Sequence, residues 1–452
     1  MNTDARARQT LSIRDIGYCG LVAALAFIWP VVGTIALRHL LLGILLVLLL
    51  ADGAVRARIG GVLRDLATPV SLLLLLTGWI VVHNLTLSQY PAYSHEEFRG
   101  QWLKPLLIFF VGVLLAARAR HEPRLLPALI ATIKWTLVLQ VLVVLGDEFY
   151  LWARDIRLQA GIVRLTGTKT SMSYTALLLL SIMASGWLKD DADETRRVGT
   201  KRLLIDAAIV TITLGSMVLH GNRYGIVLSV GLLAVVATLI AWRQVRLGSP
   251  WRAMLLLALT ILTTVTALYG AVKLDPRWER MAESAALALE PGHERDWRQF
   301  SDAHPPTFDD GSRVESSAFL RVARFRAGLG LIAERPLGWG FGRSAMEHVV
   351  VLRFQTARIS SESGLVDWTL ALGVPGIALW LGFLSWLLRL GWSVRHEGMS
   401  PAPLLLVIVV SIFLVRFVID INTRDHMLEM FLFVSGLLGG AVAVASPPKV
   451  PR

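Results

Sequence analysis

Four residues stand where a charge is both expensive and chemically useful. Arg223 lies in His220-Gly221-Asn222-Arg223-Tyr224-Gly225, a turn of a few residues between two apolar runs. Arg321 lies in a charged stretch that reads as a helix. Arg164 opens another run from Arg164-Leu165-Thr166-Gly167-Thr168-Lys169. Glu362 precedes a further run in Ser360-Ser361-Glu362-Ser363-Gly364. A guanidinium presents planar donors that match phosphate in bidentate form. Arginine near a bilayer also serves as a snorkelling anchor, and on a helix face it serves as a solvated charge. For Arg223, Arg321 and Arg164 both roles stay open on residue type and spacing alone. A turn rich in Gly and Thr at a helix N-terminus, such as the one after Arg164, also binds anions through free backbone N–H groups. Glu362 is a candidate general base, or an acid that favours a helix dipole. Glu347 and His348 compete with it for the base role, with His348 the next choice.

Other chemistries have less support. The chain has no Gly-x-x-x-x-Gly-Lys-Ser/Thr pattern for nucleotide phosphates. Asp302, His304, Asp309 and Asp310 are close in sequence but lie in a Pro-containing stretch without metal-ligand spacing, so neither metal nor cofactor is expected. The single cysteine, Cys19, makes no intrachain disulfide and no cysteine-based zinc site.

The elements that must position these residues follow from composition. Of 452 residues 54% are hydrophobic and only 17% charged, against about 25% charged in soluble domains. That excludes a cytosolic enzyme, a disordered chain and a secreted disulfide scaffold. The apolar stretches are continuous and Leu-rich, unlike the period-two alternation of a membrane β-barrel. A membrane-spanning helix needs about 20 apolar residues. Runs of this kind fall near 15–36, 38–52, 68–86, 104–118, 124–146, 171–188, 203–219, 223–242, 251–272, 364–388, 401–419 and 425–446. The expected fold is all-α: a polytopic membrane bundle of about 12 transmembrane helices. The first run reads as a retained helix, since no persuasive cleavage site follows it.

Charge sets the orientation. With the N-terminus in the cytoplasm, the cytoplasmic loops collect Arg56, Arg58 and Arg64; Arg118, Arg120 and Arg124; Lys189, Arg196, Arg197, Lys201 and Arg202; Arg243, Arg246 and Arg252; Arg389 and Arg395; and, in the tail, Lys449 and Arg452. This satisfies the positive-inside rule and puts both termini in the cytoplasm. The net charge of +12 is thus mostly topological, and nucleic acid is not an expected partner. Three parts result: helices one to nine over 1–272, a large external loop over 273–362, and three helices over 363–452. In that loop Glu315 to Glu334 reads as an amphipathic helix with the stripe Ala318, Val322, Phe325, Leu329 and Ile332. Pro336 closes it, and Gly338, Gly340 and Gly342 shape the turn that follows. A second outer loop, 147–170, carries Arg154, Arg157, Arg164 and Lys169.

Taken together, these segments resemble the O-antigen ligase and polymerase family, membrane glycosyltransferases of the GT-C type. The resemblance runs from about 160 to 390. It rests on Arg164-Leu165-Thr166-Gly167-Thr168, then Asn222-Arg223-Tyr224-Gly225, then Arg321 with Phe325 and Pro336-Leu337-Gly338-Trp339-Gly340-Phe341-Gly342. Glu362-Ser363, followed after nine residues by Gly373-Val374-Pro375-Gly376, stands where ligases have His before Asn or Ser and then Gly-x-x-Gly. The family's histidine is therefore Glu362 in this chain, and glutamate can perform the same proton transfer.

The resemblance implies a bacterial inner-membrane enzyme with its site on the periplasmic side. The donor would be a glycan on undecaprenyl diphosphate, and the acceptor a lipid A-core or glycan hydroxyl. Arg223, Arg321 and, more weakly, Arg164 would bind diphosphate, and Glu362 would activate the acceptor. Gly338, Gly340, Gly342, Gly373 and Gly376 would set loop geometry. The reaction would be inverting and metal-independent, with membrane lipids around it. Three functions fit: ligation onto lipid A-core, polymerisation of lipid-linked repeats, or, from another class, flipping of a lipid-linked oligosaccharide. Helix interiors that read as almost free of charge favour an enzyme over a translocation path.

Overall fold

The computed structural model describes residues 11–154, 163–192, 200–247, 250–290, 296–299, 306–355, 358–395 and 400–443. Asp302, His304, Arg157, Arg196, Arg197, Lys449 and Arg452 lie outside the described residues. Among the described residues the chain is all-helical, with one isolated bridge between Thr307 and Arg313. The helices are α1 (Ile13–Ile28), α2 (Ile35–Ala51), α3 (Gly53–Asp65), α4 (Ala67–Thr86), α5 (Pro91–Glu97), α6 (Lys104–His121), α7 (Leu125–Ala153), α8 (Lys169–Ala192) and α9 (Thr200–Leu219). They continue as α10 (Arg223–Arg246), α11 (Pro250–Leu274), α12 (Met281–Leu287), α13 (Asp296–Gln299), α14 (Ser316–Glu334), α15 (Ala345–Phe354), α16 (Gly364–Ser393), α17 (Ala402–Ile419) and α18 (Asp425–Val442).

Each apolar run carries a helix, but the helices differ in length and apolar character. Among the described residues, 8 stretches are long and apolar enough to cross a membrane, or up to 9 with one bent pair. That pair is α2 and α3, which meet at 93°. The bend has a local cause: Asp52 accepts from the Ala54 N–H at 2.9 Å and starts a new helix. α1 has 16 residues, and Pro30 follows directly after its cap, Trp29. The apolar parts of α9 and α11 are shorter too, Leu204–Leu219 and Leu257–Lys273.

The centre of the bundle is the pair α6 and α18. Gly112 and Gly436 let the two backbones touch, since a Cβ at Gly112 would come within 2.8 Å of the Leu437 nitrogen. Small residues permit this approach where lipid offers no hydrophobic drive between helices. Around the pair, Trp380 stacks on Phe383 and meets Trp102, Trp368, Phe413 and Phe431 edge-on or tilted.

Ion pairs are buried within the bundle, several of their members in the first or last turn of a helix. Arg38 pairs with Glu429 at 3.3 Å, Arg118 with Asp15 at 2.9 Å and Lys134 with Asp206 at 2.9 Å. These charges are tolerated because each is paired within the bundle.

α16 is broken at Gly373, whose φ of 66° and ψ of −172° suit glycine almost alone. The break frees backbone groups, and the Gly-rich segment takes them up. Pro375 has no N–H to give the Ala371 carbonyl, which accepts from Gly340 instead, at 3.2 Å. The Leu370 carbonyl accepts from Trp339 at 2.7 Å, and Val374 donates to Pro336 at 2.8 Å. A Cβ on Gly338 would lie 2.7 Å from the Ala371 oxygen. Gly340 and Gly342 pass against Tyr90 and Tyr93. The two glycine motifs, over thirty residues apart in sequence, are therefore one pairing surface that holds the loop on the bundle.

α14 forms as expected, and Val322, Phe325 and Ile332 of its stripe are half-buried against the core, but its fully buried residues lie beside that stripe. Phe319, Ala323 and Leu331 are buried, whereas Leu329 of the expected stripe is 52% exposed. The helix packs between α12 and α16, and Gly328 gives way to Val366. Neighbours on two sides, rather than one surface, decide which residues are covered.

Candidate active site

The start of α10 is built by Asn222. Its side-chain oxygen accepts from the Gly225 N–H at 3.0 Å, and its amide donates to the Lys169 carbonyl at 2.6 Å. This cap fixes Arg223 as the first residue of α10, beside the start of α8. The Arg223 side chain is 12% exposed, so it does not snorkel into open solvent. Its Nη2 donates to Glu315 Oε1 at 2.9 Å, and Asp275 stands 4.0 Å away. Glu315 does two jobs, because its other oxygen accepts from the Ala318 N–H at 2.7 Å and caps α14.

Asp275 also takes two hydrogen bonds from the Arg277 guanidinium, at 2.6 and 2.7 Å. Burial pushes the Asp275 carboxyl up, but the Arg277 bonds and charge outweigh it and hold the group below its ordinary value. Lys169, at the start of α8, donates to the Gly221 carbonyl at 3.4 Å and lies within the fields of Arg277, Arg223 and Arg321.

Arg321 reaches the same end of the bundle from α14. Its guanidinium lies 5.2 Å from the Tyr224 ring, next in sequence to Arg223. Its Nε donates to Glu362 Oε2 at 2.9 Å, and Arg324, one turn on, donates to Oε1 at 3.0 Å. Glu362 thus bridges two arginines. Its own φ is 55°, a left-handed conformation that costs a side-chain-bearing residue roughly 1–3 kcal/mol. The strain is held by the flanking serines: Ser361 Oγ donates to the Ser363 carbonyl at 2.9 Å, and Ser363 caps α16. Gly364 then donates to the Asp420 carbonyl at 3.0 Å, which fixes the segment against the end of α17.

The structure therefore brings together Arg223, Arg321 and Glu362. It seats Arg164 elsewhere: Arg164 pairs with Asp147 of α7 at 3.0 Å, its side chain 59% exposed. His348 is also apart from the arginine pairs. It lies on Tyr93, with ring centres 3.7 Å apart, and near Tyr90. Burial pushes the His348 imidazole down, and the charge of Arg358 adds to this against Glu347.

Sequence reasoning passed over Glu315, Asp275, Arg277 and the second arginine on Glu362, Arg324. Their signal is tertiary, since each becomes notable only through a partner on another element. Arg416 is different. It is a charge inside an apolar run, a sign of function by default. Chemically, the assembly offers several guanidinium groups and an ammonium for a polyanion, beside a carboxylate held in a strained backbone.

Residues 207–381 match the family profile described as O-antigen ligase. The matched span contains Arg223, Arg321, Glu362 and both glycine motifs, and it supports the O-antigen ligase/polymerase family. No curated protein matches the chain.

Proposed function

We propose that this membrane protein transfers a glycan from undecaprenyl diphosphate to an acceptor sugar hydroxyl at the periplasmic face, as an O-antigen ligase does. The observation that carries the reading is the Arg321–Glu362–Arg324 bridge beside Arg223 and Tyr224. Arg223 and Arg321 hold the diphosphate, while Arg164, paired with Asp147 apart from them, has at most a weaker part in that binding. Preorganised cations in a water-poor site stabilise the leaving group's charge.

At rest both oxygens of Glu362 are held by guanidinium groups. Diphosphate competes for Arg321 and draws it off, which frees Glu362 Oε2 to accept from the acceptor hydroxyl as the donor arrives. The acceptor hydroxyl oxygen then bonds to the anomeric carbon while the bond from that carbon to the phosphate oxygen breaks. The hydroxyl proton passes to Glu362, and undecaprenyl diphosphate leaves. Attack from the face opposite the leaving group inverts the anomeric centre. The step requires no metal or nucleotide. The Gly373 break and the Gly338–Gly342 segment keep α14 and Glu362 in register.

Polymerisation of lipid-linked repeats for O-antigen or exopolysaccharide is the alternative within the family. A deletion strain separates the two. Loss of a ligase leaves bare lipid A-core with accumulated lipid-linked polymer; loss of a polymerase leaves core bearing a single repeat. Normal lipopolysaccharide with another surface polymer missing selects an exopolysaccharide enzyme. Buried pairs such as Arg38–Glu429 give a flippase some footing. Transport without glycosidic bond formation in liposomes selects it and ends the transferase reading.

A further inference from the structure

Arg416 is a cation that the mechanism above does not use. It sits in the last turn of α17 with its side chain 0% exposed. Nη2 donates to Asp420 Oδ2 at 2.6 Å and to the Thr170 carbonyl at 3.3 Å. Nε and Nη1 meet no acceptor among the described residues. A guanidinium carries five N–H groups, and Nε and Nη1 account for three of them. Unpaired donors are costly in such surroundings. The rings of Tyr174 and Tyr224, 5.1 and 5.9 Å from Cζ, offset only part of this by cation–π attraction.

The position matters as much as the idle donors. Tyr224 also faces Arg321, and the Ile419 carbonyl of α17 accepts from Arg321 Nη1 at 3.4 Å. Arg416 therefore borders the cluster from inside the bundle, whereas Arg321 reaches it from the loop. The charges leave room for an anion as well. Lys169, Arg223, Arg277, Arg321, Arg324 and Arg416 face four carboxylates: Asp275, Glu315, Glu362 and Asp420. The excess is two positive charges, matching the two negative charges of a diphosphate diester.

We infer that Arg416 is a further diphosphate-binding residue, taking one phosphate of the lipid-linked donor from the bundle side while Arg223 and Arg321 take the other. The inference rests on the transferase reading above. Asp420 keeps Arg416 neutralised and oriented until the donor arrives. A purely structural Arg416 would tie α17 to α8 and no more.

The test measures binding to the full-length protein in lipid nanodiscs, with undecaprenyl diphosphate and undecaprenyl monophosphate as probes. Removing Arg416 alone strands Asp420, so the informative variant is Arg416→Met with Asp420→Asn, set against Asp420→Asn alone. Asp420→Asn is expected to bind diphosphate at least as tightly as wild type. The double variant is expected to bind it about tenfold more weakly or worse, the loss typical of a charge-assisted bond, with monophosphate affinity changing by less than about threefold. Diphosphate affinity of the double variant within twofold of Asp420→Asn overturns the inference, as does an equal loss for both lipids. If the double variant fails to insert, Arg416→Lys is read by the same criteria, because it keeps a partner for Asp420 but not the idle donors. A wild-type protein that does not prefer diphosphate over monophosphate removes the transferase reading itself, whereas failure of the variants alone removes only the role of Arg416.

Discussion

Arg321 Nε donates to Glu362 Oε2 at 2.9 Å, joining the loop helix α14 to the strained residue that precedes α16. The pair is 34% and 35% exposed, so its net contribution to stability is small, on the scale of about 1 kcal/mol or less. Its consequence is chemical. In the proposed mechanism, a donor phosphate that takes Arg321 would free this carboxylate oxygen for the acceptor hydroxyl.

Arg321→Ala is therefore expected to lower the transfer rate by about 10²–10³-fold, as loss of a preorganised charge donor does. Insertion and melting stay near wild type. Arg321→Lys retains part of the activity, because an ammonium keeps the charge without the planar fork. Initial rates in proteoliposomes decide this, and an Arg321→Ala rate equal to wild type removes the diphosphate assignment.

Arg223→Ala is expected to reduce transfer comparably. It also leaves Glu315 without its guanidinium, so a companion variant is needed to separate charge from helix capping. Glu315→Gln keeps an acceptor for the Ala318 N–H and so retains the α14 cap. Unchanged melting in Glu315→Gln, with lost transfer in Arg223→Ala, supports binding. Equal loss of melting temperature in both points to structure alone.

Gly373→Ala is expected to destabilise the protein by about 1–3 kcal/mol, since its dihedral angles suit glycine almost alone. The cost includes the clash of the new methyl with Leu337. Thermal unfolding in detergent checks it. A melting temperature equal to wild type shows that the break in α16 relaxes.

His348 offers a test by pH. Its imidazole lies below the ordinary value of about 6.5 in the folded protein, first through burial and then through Arg358. Above about pH 6.5 both states are neutral and nothing is lost. Below it the unfolded chain binds the proton first, so stability falls as pH drops toward the folded value. Between pH 7.5 and 5.5, wild type should lose more melting temperature than His348→Gln. Equal losses in the two proteins contradict the shift.

Much of this was legible in the residues. The apolar runs marked the helices, and Arg223, Arg321 and Glu362 marked the ends that meet. What escaped is what only packing decides. Asp52 splits α2 from α3 by a cap, and Pro30 ends α1 within the first apolar run, so run and helix do not coincide there. On α14 the fully buried residues lie beside the expected stripe because α12 and α16 cover the helix from two sides. Glu315 reads as an ordinary helix-start acid until Arg223 is seen on its free oxygen. Arg416 was readable in principle, as a lone charge in an apolar run, but its idle donors are visible only in three dimensions.

The central claim is that Glu362 takes the acceptor's proton beside a diphosphate held by arginines. Its most direct test is the initial rate of glycan transfer in proteoliposomes. The assay supplies an undecaprenyl-diphosphate-linked donor, an acceptor glycolipid and a chelator, and omits nucleotide. Wild type should transfer under these conditions. Glu362→Gln should lose roughly 10²–10⁴-fold in rate, the scale of general-base catalysis, while Glu362→His keeps a measurable part. A Glu362→Gln protein as fast as wild type contradicts the account and moves the base elsewhere, with His348 the next candidate.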